Sequence, residues 1–139
     1  MTQHPLPRSI ATVCLSGTLP DKLESAAAAG FAGIMMDTEG KAGGLLSVTG
    51  PAERAAFVAL ARLHGLMVGL AGSLRITDIT GLAALGPDLL GFRGGLCEGF
   101  DRRRPLVMDR VAEAAVACRA AGSGRRLAGS PPAALGLTA

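Results

Sequence analysis

Four short apolar runs divide the chain: SIATVCL (9–15), GIMMD (33–37), LMVGLAG (66–72) and LLGFRG (89–94). In each, the apolar residues are consecutive rather than alternating. That pattern predicts strands covered on both faces, as in a parallel sheet. A segment with helix punctuation follows each run. Thr18, Pro20 and Asp21 open an Ala-rich stretch that Gly30 closes, and Thr18 with Asp21 resembles a capping box. Pro51 suits a first helical position, with Glu53 close behind and Gly65 as the stop. A third helix is predicted over about Ile76–Leu85, before Gly86 and Pro87, and a fourth over about Met108–Ala121, ended by Gly122.

The predicted order is thus β-α-β-α-β-α-β-α. It implies an α/β fold of four βα units around a parallel sheet, with right-handed crossovers. Residues 1–8 read as a leader, 9–121 as the βα domain, and 122–139, rich in Gly, Pro and Ala, as a flexible tail.

Length sharpens this picture. The chain has 139 residues, whereas a complete (β/α)8 barrel takes about 250 and roughly 200 at the least. The hydrophobic fraction of 49% excludes a disordered chain. The absence of Trp and Tyr and the modest net charge of +3 argue against a nucleic-acid partner. No apolar run is long enough to span a membrane, and the first residues carry no apolar signal core. Cys14, Cys97 and Cys118 are widely spaced, with no clustered His, so neither a disulfide framework nor a metal site is expected. A reducing cytoplasm is the expected compartment.

In parallel α/β sheets, ligands bind at the carboxyl ends of the strands. The candidate residues are therefore those just after each run. Asp37 ends the second run, and Lys41 follows in the Gly-flanked loop DTEGKAGG. Lys41 is one of only two lysines in an arginine-preferring chain. Lysine can act as a nucleophile toward carbonyls or move protons, which arginine does poorly, and an adjacent carboxylate would orient it. A solvated loop ion pair is the competing reading.

In LAGSLR (70–75), Gly72 and Ser73 sit between a strand and a helix start, where backbone N–H groups can meet a phosphate. In GFRGGLCEGFDRRR (91–104), Arg93 and Gly94 hold the equivalent place. Such loops after successive strands frequently share a phosphate site. Arg102, Arg103 and Arg104 could contact phosphate or form a solvated charge run. Cys97 reads as a reactive thiol or a small buried filler. His64 reads as a helix C-terminal cation.

Taken in order, D-T-x-x-K, G-L-x-x-x-L-A-G-S and G-x-R-G-x-x-C resemble the (5-formylfuran-3-yl)methyl phosphate synthase family, from about Ser9 to Ala121. The resemblance implies the C-terminal half of a TIM (β/α)8 barrel. It implies a lyase of methanofuran biosynthesis that condenses two molecules of glyceraldehyde 3-phosphate by lysine Schiff-base chemistry, losing phosphate, without a metal or cofactor. It assigns Asp37 and Lys41 to catalysis, and Gly72, Ser73, Arg93 and Gly94 to substrate phosphate. The family's Schiff-base lysines belong to the N-terminal half, and nothing in this chain matches them. The chain is therefore expected to associate, either with itself or with a complementary N-terminal half-barrel. The alternative is a non-catalytic sugar-phosphate-binding half-barrel or the remnant of a truncated gene.

Overall fold

The computed structural model describes residues 10–14, 19–38 and 43–126, with side chains described over 20–38 and 43–122. Strand β1 (Ile10–Cys14) is followed by α1 (Leu19–Ala28) and β2 (Gly33–Asp37). Next come α2 (Leu45–Val48), α3 (Pro51–Leu63) and β3 (Met67–Leu70). A 3-10 turn at Ile76–Asp78 leads into α4 (Ile79–Ala83) and β4 (Leu89–Leu90). Two more 3-10 turns, Gly94–Leu96 and Glu98–Phe100, precede α5 (Met108–Arg126).

All four strands are parallel, in the order β1-β2-β3-β4. Crossovers of one hand between sequential neighbours place every helix on the same face of the sheet. The fold is α/β, with four βα units laid out as one half of an eight-stranded barrel wall.

Register separates the two faces. Ile34 pairs with Val68, and Met36 with Leu70, which pairs in turn with Leu90. All five are fully buried, in one cluster with Leu23, Phe57, Ala61, Ile79 and Ala114 of the helices. Burying each large aliphatic contributes about 1.5–3 kcal/mol over leaving it exposed. The opposite face carries Met35, Met67 and Leu89, which are half-buried, and ends in Asp37. The consecutive apolar residues of β2 therefore have two destinations. Alternate positions enter the core, and the others line the face that a closed barrel would enclose.

Helix boundaries follow local chemistry. Pro51 occupies the first position of α3, and the Gly50 N–H donates to Glu53 Oε1 at 3.3 Å. Gly30 and Gly65 lie just beyond α1 and α3, and His64 is an exposed C-cap of α3. Thr18 and Cys14's side chain lie outside the described residues, as do residues 1–8.

Three features differ from expectation. Helix α5 does not stop at Gly122 but continues to Arg126. A helical glycine costs only about 1 kcal/mol relative to alanine, and the Ala-rich turns before it favour continuation. The first residues of the expected tail, 122–126, are thus helical, and the rest of it lies outside the described residues. Second, the third helix opens as a 3-10 turn, with Asp78 Oδ2 accepting the Arg75 N–H at 2.8 Å. Third, α2 was not expected. Its four residues are held by tertiary bonds: Leu45 N–H donates to Gly72 O at 2.9 Å. Buried Arg54 of α3 donates through Nη1 to Thr49 O (2.6 Å) and Thr49 Oγ1 (3.0 Å).

Candidate functional site

The carboxyl ends of β2, β3 and β4 open into one cleft of about 350 Å³. It is lined by Asp37 at the end of β2 and Thr38 after it, Gly72 and Ser73 after β3, and Arg93 and Gly94 after β4. Phe100 and Arg102 complete it from the following loop. The parallel register produces this convergence. Ala71 N–H donates to Met36 O (2.8 Å) and Gly91 N–H to Leu70 O (2.9 Å), so the three strands end level with one another.

The loops are shaped by close backbone approach. Gly72 has φ +121°, and a Cβ there would lie 2.7 Å from Thr38 Oγ1. Only glycine fits both the dihedral and the space. A Cβ on Gly95 would lie 2.0 Å from Leu74 O, so the loops after β3 and β4 touch through that position. Among the described residues, the two non-glycine residues with left-handed backbone are Ser73 (φ +50°) and Phe100 (φ +56°). Both line the cleft. Such conformations are sparsely populated and gather at functional sites, where the surrounding structure enforces them.

Asp37 is half-buried, and its Oδ1 accepts the Thr38 N–H at 2.7 Å. The Arg93 guanidinium is exposed, with no carboxylate partner among the described residues. No described residue accepts a hydrogen bond from the backbone N–H of Gly72, Ser73 or Gly94. The cleft therefore offers a cation and backbone donors to an anion, beside one carboxylate. The helix start after Ser73 contributes less than its sequence suggests, because Asp78 already takes the Arg75 N–H. Among the described residues, no cluster of three or more His, Cys, Asp or Glu could hold a metal ion.

Five of the six sequence-selected residues meet here: Asp37, Gly72, Ser73, Arg93 and Gly94. The sixth, Lys41, lies outside the described residues. Thr38 and Phe100 fall within the stretches after the second and fourth runs but were assigned no role, and Arg102, weighed as a phosphate contact or a solvated charge, lines the cleft. Thr38 was legible as the residue after the strand-ending aspartate, whereas the Phe100 backbone conformation leaves no local signal. Cys97 is buried and its Sγ donates to Arg93 O at 3.1 Å, so it packs beneath the loop rather than facing the cleft. Among the described residues, no helix is long and apolar enough to cross a membrane.

A family model described as 4-HFC-P synthase matches residues 17–115, which include every residue of the cleft. A Methylorubrum extorquens protein, provisionally named (5-formylfuran-3-yl)methyl phosphate synthase, is 59% identical over 95 residues. The match covers 68% of this chain and 40% of that protein. The (5-formylfuran-3-yl)methyl phosphate synthase of Methanosarcina acetivorans is 37% identical over 95 residues, with the same two coverages. The chain thus spans about 40% of the length of these relatives. Among solved structures, endonuclease IV from Thermus thermophilus is similar with a TM-score of 0.52 at 20% identity, over 94% of this chain and 51% of that one. At that identity the likeness concerns the fold alone.

Proposed function

This chain belongs to the 4-HFC-P synthase family, and from that premise we propose that it provides the phosphate-binding half of a (5-formylfuran-3-yl)methyl phosphate synthase. The reaction condenses two molecules of glyceraldehyde 3-phosphate through lysine Schiff-base chemistry, with loss of phosphate, in methanofuran biosynthesis. The observation that carries this reading is the strand-end cleft, where Arg93, with no carboxylate partner among the described residues, lines one wall with the Gly72–Ser73 and Gly94 turns beside Asp37.

Each group has a role in it. Arg93 binds phosphate oxygens through its planar fork, which suits bidentate contact. The Ser73 hydroxyl and the N–H groups of Gly72, Ser73 and Gly94 complete the grip. As the C–O bond breaks, these donors stabilise the departing phosphate. Asp37 and Lys41 move protons during bond formation and elimination. The Schiff-base lysine comes from a complementary N-terminal half-barrel. That half would cover the sheet face bearing Met35, Met67 and Leu89, which is otherwise an apolar surface that favours association. The setting is a reducing cytoplasm.

The test supplies glyceraldehyde 3-phosphate to the chain alone and to the chain mixed with the first four βα units of a relative. Binding without turnover is expected for the chain alone, and furan aldehyde for the mixture. Unchanged binding in Arg93→Ala would remove the assignment of the phosphate grip. Furan product from the chain alone would remove the need for the other half. Sedimentation separates a pair of identical chains from a complementary pair.

A further inference from the structure

The loop after β4 folds back as a pinned flap. Cys97 and Leu106 form an antiparallel bridge, Glu98 N–H donates to Pro105 O (3.0 Å), and Val107 N–H donates to Leu96 O (2.8 Å). The Phe100 ring lies 3.8 Å from the Arg75 guanidinium and 4.6 Å from that of Arg110, measured to the ring centroid. A Cβ on Gly94 would lie 3.2 Å from Phe100 O, so the flap backbone rests against the cleft wall.

Three consecutive arginines ride on this flap, and the structure separates them. Arg103 is held by Asp101 through two parallel hydrogen bonds, Nε to Oδ1 and Nη2 to Oδ2, each 3.0 Å. Arg104 pairs with Glu98 at 3.5 Å. Arg102 has no carboxylate partner among the described residues, and it alone of the three lines the cleft. We infer that Arg102 is a second guanidinium for the substrate's phosphate, closing on it from the flap opposite Arg93, while Asp101 and Glu98 keep the neighbouring arginines away. Two guanidiniums at one cleft, neither with a carboxylate partner among the described residues, repel each other, and a phosphate dianion between them removes that repulsion. Its charge and three oxygens suit both forks, so the cleft selects a phosphate monoester over a carboxylate.

This inference rests on the phosphate-binding reading above, and the experiment separates the two. Binding of inorganic phosphate and of glyceraldehyde 3-phosphate is measured by calorimetry on the full chain and on Arg93→Ala, Arg102→Ala and Arg104→Ala. Arg102→Ala is expected to weaken both ligands about tenfold, the loss of one charge-assisted contact, with Arg104→Ala, outside the cleft and outside the Asp101–Arg103 pairing, unchanged. Arg102→Lys is expected to recover part of the affinity, because the charge returns without the fork. Arg102 lies on an exposed loop, and an unchanged circular dichroism spectrum checks that the variants fold. Mapping phenylglyoxal adducts by mass spectrometry gives a readout without mutation: phosphate should protect Arg93 and Arg102 together. If Arg93→Ala loses affinity while Arg102→Ala binds like the parent, the inference fails and the wider reading stands. If the parent chain binds neither ligand, both fail.

Discussion

Asp101 and Arg103 are joined by three hydrogen bonds: two between the side chains, and a third at 3.0 Å from the Arg103 N–H to Asp101 Oδ1. The pairing fixes the turn that carries Arg102. The Arg103 side chain, then its backbone N–H, lowers the Asp101 pKa to about 2, against partial desolvation.

A carboxyl depressed in the folded state contributes its stabilisation above its unfolded value and loses it as pH falls through the folded one. The clamp is therefore intact at neutral pH and opens only in strong acid. The carbon chemical shift of the Asp101 carboxyl should titrate near pH 2. A midpoint near the ordinary carboxyl value of 3.8 would show that the pairing does not persist in solution.

Gly72→Ala is expected to disturb both fold and site. The new Cβ would meet Thr38 Oγ1 at 2.7 Å and Cγ2 at 2.9 Å, in a backbone that side chains rarely adopt. The dihedral alone costs about 1–3 kcal/mol. Pairing it with Thr38→Gly should relieve the contact and leave the dihedral cost, so stability recovers in part. Full recovery on denaturant titration would mean that the backbone relaxes freely.

Asp88 joins β3 to β4. Its Oδ2 accepts the Val68 N–H at 2.8 Å, while its own N–H donates to Val68 O at 2.7 Å. Asp88→Ala leaves the Val68 donor unmatched, a cost of about 1–3 kcal/mol. Urea unfolding should show that loss. Amide exchange at Val68 should accelerate, and an unchanged exchange rate would place the donor elsewhere.

Cys118 is buried against the core, and desolvation raises its thiol pKa despite the nearby Arg119 charge. The thiolate is the reactive form, so alkylation of native Cys118 at pH 8 should be slower than that of a free thiol, rising with pH. Site-resolved mass spectrometry reads the rate. Labelling as fast as in urea would show that the α5 face opens readily.

The four strands and their order were legible in the chain because turn residues bracket each apolar run. That Asp37, Gly72, Ser73, Arg93 and Gly94 would meet at one cleft was legible because strand ends in a parallel sheet point to one rim. Other features depended on distant partners. Helix α2 exists because Leu45 reaches Gly72 O and Arg54 reaches Thr49 O, and no local propensity encodes those bonds. The end of α5 was misplaced because Gly122 signals a stop in isolation, yet its cost is smaller than the gain from the turns before it.

The sequence by itself determined the class of fold, the glycine turns at the strand ends and the family, since these rest on short-range patterns and residue types. Only the tertiary structure decided which face of each strand is covered. Only it brought Phe100 and Arg102 to the cleft, and only it told Arg102 apart from the two arginines beside it. The reason is physical: three adjacent arginines are chemically identical as a string, and they differ only once folding places a carboxylate against two of them and sets the third at the strand-end cleft.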